Sequence, residues 1–85
     1  MMTESNLYTQ RKPKHLQKIL AENVLFYRKQ FCFSQEELAE LCGYHRTYIG
    51  SVERGERNVT IATIEAFASV FGIEPYELLV QKNNE

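Results

Sequence analysis

SQEELAELCGYHRTYIGSVERGERN, residues Ser34 to Asn58, decides the fold. It reads as two short helices joined by a glycine turn, with arginine at both ends of the second. Ser34 can N-cap the first of them, and Glu37, three residues on, can reach back to the Ser34 amide, the reciprocal pairing of a capping box. Leu38, Ala39 and Leu41 follow as its apolar face. Gly43 stands where the helix must end in a left-handed residue, a conformation open to glycine that costs other residues about a kilocalorie or more. The chain turns there. In the next helix Ile49 and Val52, three apart, face inward, while Arg46, Thr47, Gly50, Ser51 and Arg54 fall on the other side. A polar, small and basic outer face suits a DNA groove, and the stretch as a whole has the form of a helix-turn-helix.

On the N-terminal side, residues 1–12 are polar and aperiodic and read as a flexible tail, with basic residues Arg11, Lys12 and Lys14 clustered where it ends. Such a cluster is either a solvated terminus or an arm that touches DNA. From Pro13, a favoured first-turn residue, the spacing of Leu16, Ile19, Leu20, Val24 and Tyr27 predicts a helix to about Gln30. Phe31 and Phe33 bracket a short link. On the C-terminal side, Gly55 ends the second helix of the pair and Glu56, Arg57 and Asn58 form a loop. Thr60 is an N-cap for a fourth helix, in which Ile61, Ile64, Phe67, Ala68 and Phe71 repeat at helical intervals. Gly72 stops it, Pro75 opens a fifth helix through Leu78 and Leu79, and a polar tail follows. The prediction is an all-α chain of five helices without strands. A tail at 1–12 precedes one DNA-binding and dimerisation domain at 13–81, and a second tail occupies 82–85.

With 85 residues, this is a single domain with a modest core, near the size at which oligomerisation adds stability. No apolar run approaches the roughly 20 residues of a membrane span, and the opening MMTESNLYTQ has neither the basic start nor the apolar centre of a signal peptide. Cytoplasm is the expected location. Cys32 and Cys42 are read as buried or half-buried free thiols. With His15 and His45 they lack the close CxxC or HxxxH spacing of a zinc site, so no metal is expected. Neither a P-loop, GxGxxG, GxSxG nor HExxH is present, and Glu36, Glu37 and Glu40 read as a charged outward face at a helix start. An enzyme, a cofactor and a small-molecule ligand are all unexpected.

The net charge of −1 and pI near 6.1 set the chain apart from the usual basic nucleic-acid binder. Distribution matters more than the total. Residues 1–58 carry nine Lys or Arg against seven Glu, a net +2, whereas residues 59–85 carry Lys82 against four Glu, a net −3. The positive part contains the helix-turn-helix.

SQEELA at Ser34–Ala39, Gly43, Ile49 and VERGER at Val52–Arg57 resemble the Cro/C1-type (Xre) helix-turn-helix family, relatives of phage repressors with a lambda-repressor-like fold. The resemblance spans about Leu16 to Leu79. Within that family, HRTYIGSVERGERNVTIATIEAFASVFGI is most similar to the controller proteins of restriction-modification systems, small dimeric regulators of the endonuclease gene. The resemblance implies that Gln35, opening the first helix of the pair, hydrogen-bonds a DNA phosphate, and that Arg28 pairs with Glu53 to tie the first helix to the recognition helix. It also implies base contacts from Arg46 and Thr47, with Tyr48 near the backbone or a deformed groove, and phosphate contacts from Arg57 and Asn58.

The residues themselves support several of these roles. Arg46 lies in the first turn of the recognition helix, where its fork fits guanine O6 and N7. Thr47 can meet a thymine methyl or a phosphate, and Ser51, one turn on, is a further candidate base contact. His45 is a candidate phosphate contact, N-cap, base reader or plain surface residue, and Arg54 a candidate phosphate contact. Gly50, disfavoured in mid-helix, implies close approach to the DNA backbone or to the preceding helix. The apolar excess after Gly55 predicts a homodimer through Phe67, Ile73, Tyr76 and Leu79. The expected function is sequence-specific regulation of transcription on near-palindromic double-stranded DNA. The alternatives are an antitoxin-type or phage-like repressor, or a protein-interaction module retaining the fold.

Overall fold

The computed structural model describes residues 15–82. Four α-helices follow one another, α1 (His15–Gln30), α2 (Gln35–Cys42), α3 (Arg46–Glu53) and α4 (Ile61–Phe71), and a 3₁₀ helix (Pro75–Leu79) comes last; no strand occurs among the described residues. Pro13, the cluster Arg11, Lys12 and Lys14, the tail at 1–12, and residues 83–85 lie outside them.

Short-range chemistry sets most of the helix ends. Ser34 Oγ accepts from the Glu37 amide at 2.9 Å while Glu37 Oε1 accepts from the Ser34 amide at 2.8 Å, which completes the capping box. Gly43 closes α2 at φ +83°, and the Tyr44 amide turns back to the Ala39 carbonyl. Thr60 Oγ1 caps α4 through the Thr63 amide, and Gly72 ends it at φ +68°. The end of α1 is different. Phe33 N donates to Arg28 O and Cys32 N to Lys29 O, a Schellman pair, with Cys32 rather than glycine at φ +58°.

The predicted fifth α-helix is corrected to a single stretch of 3₁₀ helix. Glu74 and Glu77 cap its start reciprocally, yet it runs only from Pro75 to Leu79. Its end is set by α1: Asn23 Nδ2 donates to the carbonyls of Leu78 at 2.8 Å and Val80 at 3.0 Å, which diverts the Leu78 carbonyl from a further helical turn. Asn23 is buried, so these bonds also satisfy an amide group that would otherwise be costly to enclose. Lys82, assigned to the tail by sequence, lies back on α1, donating to the Tyr27 hydroxyl at 3.0 Å with its ammonium 4.5 Å from the centre of the Tyr27 ring.

Every described helix contributes to one core: Leu20 and Val24, Leu38 and Ala39, Ile49 and Val52, Phe67, Ala68 and Phe71, and Leu78. Two expectations change here. Leu41 is exposed, because two positions beyond Ala39 lies on the far side of the helix; Cys42, four beyond Leu38, takes the inward place. Phe67, expected at a dimer interface, is wholly buried and has no surface to offer a partner.

The thiols also separate. Cys42 is half-buried, and burial pushes its thiol up to about 11, whereas Cys32 is exposed, contrary to the expectation that both are enclosed. Because cysteine pays a conformational penalty at a left-handed position, Cys32→Gly should stabilise the fold by about 1 kcal/mol, a rise of roughly 4–8 °C in Tm. An unchanged or lower Tm in thermal denaturation would show that the turn does not strain the residue. At pH 8, Cys42 should react with a thiol reagent at least ~10-fold more slowly than Cys32, since the thiolate is the reacting form. Equal rates would place Cys42 in the open.

Candidate nucleic-acid interface

The two short helices α2 and α3 pack against each other, α2 also against α4 and α3 also against α1. Neither eight-residue helix would hold its shape alone. Leu38 and Ala39 of α2 and Ile49 and Val52 of α3 supply the apolar part of the joint. A polar clamp supplies the rest. Arg28 Nε donates to Glu53 Oε2 at 2.6 Å and Arg28 Nη2 to Glu53 Oε1 at 3.1 Å; Gln35 Nε2 reaches the same Oε1 at 3.0 Å. Arg28 Nη1 donates to the Phe33 carbonyl in the link. Only 13% of the Arg28 side chain and 6% of the Glu53 side chain are exposed, so this is a partly buried ion pair with its remaining donors and acceptors engaged. Gln35, predicted at a phosphate, gives one of its two amide N–H groups to Glu53.

The start of α3 is built around His45. Its ring Nδ1 accepts from the Thr47 amide at 3.1 Å and lies 2.7 Å from Thr47 Oγ1, which makes it the N-cap and corrects the plain surface reading. An Nδ1 that accepts the amide carries no proton, so the hydrogen of the neutral ring sits on Nε2. Arg46 follows, exposed, with Nε 3.5 Å from a Glu36 carboxylate oxygen. A pair this open to solvent contributes under about 1 kcal/mol and leaves Arg46 free to exchange partners.

Further along α3 the predicted outer face divides. Thr47 and Arg54 are exposed, but Gly50 and Ser51 are buried. Ser51 is therefore corrected from a groove-facing residue: its hydroxyl donates to the Tyr48 carbonyl at 2.8 Å and accepts from Arg57 Nε at 3.0 Å. The packing also explains Gly50. A Cβ there would stand 3.2 Å from Arg54 Nη1 and 3.6 Å from Gln35 Oε1, so glycine leaves room for these two side chains. Tyr48 is half-buried, with its ring 4.9 Å from that of Tyr44. Arg54 Nε donates to Glu56 at 3.0 Å; that hydrogen bond, with the charges of Arg54 and Arg57, holds the Glu56 carboxyl below the usual carboxylate range against the opposing effect of desolvation. Arg57 and Asn58 are exposed in the loop after α3. Of the residues expected at a partner, Ile73 and Leu79 are half-buried and Tyr76 is exposed.

The order of these elements, with a left-handed glycine between α2 and α3 and basic residues at the ends of α3, agrees with the comparison by family. A family model described as helix-turn-helix (HTH_3) matches residues 26–78. The chain belongs to the helix-turn-helix family. The control protein C.SmaI of Serratia marcescens is 51% identical over 67 residues, covering 79% of this chain and 80% of that protein. The crystal structure of the hypothetical transcription factor NHTF from Neisseria has a TM-score of 0.77 at 38% identity, covering 84% of this chain and 82% of the other. The restriction-modification controller protein C.AhdI from Aeromonas hydrophila has a TM-score of 0.70 at 40% identity, covering 73% and 94%. Within the family, this helix-turn-helix protein is thus similar to restriction-modification controllers.

No helix among the described residues is long and apolar enough to cross a membrane. The role of Ser51 was not legible from periodicity, nor was the link from Gln35 to Glu53, 18 residues further on. Only a serine three residues after Tyr48 and six before an arginine hinted at the first.

Removing one partner of a buried pair strands the other charge. Glu53→Gln keeps the shape of the side chain but leaves the enclosed Arg28 uncompensated, and should lower stability by about 3 kcal/mol or more. Thermal denaturation measures this; a Tm within a degree or two of the parent would mean that the clamp contributes little.

Proposed function

We propose that this helix-turn-helix protein is a sequence-specific DNA-binding regulator of transcription, the controller of a restriction-modification system. It acts in the cytoplasm as a homodimer on near-palindromic double-stranded DNA. The observation that carries the reading is the exposed Arg46 in the first turn of α3, on a chain similar along most of its length to control proteins. In that place the first turn of a recognition helix meets base edges in the major groove. Thr47 lies beside it for a second base, and Tyr48 borders the groove through its exposed edge. Arg57 and Asn58 meet phosphate from the loop, with Arg54, His45 and Gln35 further along the backbone. Residues 13–81 form the one DNA-binding and dimerisation domain, with no cofactor and no small-molecule ligand.

Dimerisation is supported by apolar side chains that the single chain leaves uncovered in the C-terminal third: Ile61 is 77% exposed, Tyr76 65% and Val80 52%. Ile73 and Leu79 are half-buried beside the core and complete the surface we assign to the partner. Two recognition helices spaced by roughly one DNA turn, about 34 Å, would then read the two halves of the site.

Arg46→Ala should lose about 1–3 kcal/mol of discrimination at one base pair in each half-site, measured by competition among single-base variants of a selected operator. Unchanged relative affinities would remove Arg46 from base reading. Sedimentation at tens of micromolar should give a dimer; a monomer there would remove the basis for a palindromic site. A reporter behind the gene's own upstream region addresses the controller reading, for which expression should first rise and then fall as the protein accumulates. A purely falling response would leave a simple repressor.

A further inference from the structure

Ser51 is a polar residue enclosed in α3, and both sides of its hydroxyl are accounted for. The O–H donates to the Tyr48 carbonyl three residues back, the local bond that serine makes in helices. With its hydrogen committed there, the oxygen can only accept, and what it accepts is the Nε–H of Arg57 at 3.0 Å. The guanidinium carbon of Arg57 stands 5.4 Å from the centre of the Tyr48 ring, inside the range of a cation–π contact. Tyr48 is itself braced: its ring packs 4.9 Å from Tyr44, whose hydroxyl lies 2.9 Å from Thr63 Oγ1 in the first turn of α4. Arg57 is thus an exposed residue in a loop whose guanidinium is held along one edge and over one face.

We propose that Ser51, with Tyr48, is a positioning residue that fixes the Arg57 guanidinium as a preformed fork for a phosphate of the DNA backbone. The inference rests on the reading of this face as DNA-binding. The bond to Ser51 uses Nε and leaves both terminal nitrogens of Arg57 for bidentate contact with phosphate oxygens. A long arginine side chain in a loop otherwise loses rotamer freedom on binding; holding it beforehand removes part of that loss from the binding step. Ser51 therefore acts on affinity without touching DNA. Because a phosphate carries no sequence, it acts equally on every site.

The test is a double-mutant cycle on the full chain, with a short duplex that the parent binds at low salt and a set of single-base variants of that duplex. Ser51→Ala should weaken all duplexes about fivefold per subunit with base preferences unchanged, the scale of one hydrogen bond lost. In an Arg57→Ala background the same substitution should change nothing. A purely structural role for Ser51 would instead lower binding in both backgrounds, and that additivity, or unaltered binding by Ser51→Ala in the parent, overturns the proposal. Arg57→Lys supplies a test that leaves the interior of α3 intact. It keeps the charge but lacks the Nε–H and the planar face, and should lose at least as much affinity as Ser51→Ala while staying tighter than Arg57→Ala; parental affinity in Arg57→Lys would show that charge alone suffices. Failure of the parent to bind any duplex at low salt would sink the DNA reading as well, whereas binding by the parent with insensitivity to Ser51 would sink only the positioning role.

Discussion

The carboxylate of Glu53 is the point on which the arrangement turns. It stands at the last residue of α3 and receives two N–H groups from Arg28 of α1 and one from Gln35, the first residue of α2. Two helices of eight residues, each roughly 12 Å long, have too few internal hydrogen bonds to fix their own mutual angle. The apolar contacts of Leu38, Ile49 and Val52 bring them together but are tolerant of small rotations, because burial is not directional. A bidentate arginine pair is directional. With Arg28 Nη1 also holding the Phe33 carbonyl, the same guanidinium sets the link between α1 and α2. The clamp therefore settles the angle at which α3 can be presented.

The surface built on that clamp handles its charges economically. Arg46 stands beside Glu36, Arg54 beside Glu56, and Arg57 against Ser51 and Tyr48. This reconciles an acidic pI with a surface for a polyanion. Exposed carboxylates that neighbour the arginines weaken the long-range, sequence-independent attraction on which non-specific binding depends. They hold their partners loosely in water, so a guanine edge or a phosphate can replace them when geometry is favourable.

The parts of the fold that were legible in sequence are those set within a few residues. Ser34 with Glu37, Gly43, Thr60 and Gly72 each act on their own helix end, so spacing alone placed them. Cys32 shows the limit: its left-handed turn has the hydrogen bonds of a glycine cap without the glycine, and residue type concealed it. Asn23 of α1 draws its importance from the carbonyls of Leu78 and Val80 more than 50 residues away, which nothing in its local spacing signals. Ser51 and Phe67 were misplaced for a related reason. Helical periodicity says which residues share a face, but a loop residue such as Arg57 can fold back over a polar face and enclose it. Likewise, surplus apolar residues imply uncovered surface without saying which of them carry it.

That last point bears on how the chain divides its work. With Phe67 wholly inside and Ile61 and Tyr76 outside, Phe67 of α4 contributes to the monomer's own core, and the apolar side chains left uncovered in the C-terminal third stand at the start of α4 (Ile61), in the 3₁₀ helix (Tyr76) and just beyond it (Val80). The 3₁₀ helix is positioned by Asn23, a residue of α1, and α1 also carries Arg28, the donor to Glu53. One helix thus anchors, through one polar side chain each, the element presenting Tyr76 and the element presenting Arg46. If two copies join through the former, the spacing of their α3 helices is transmitted through α1, and its rigidity rests on polar bonds because these constrain direction as well as proximity.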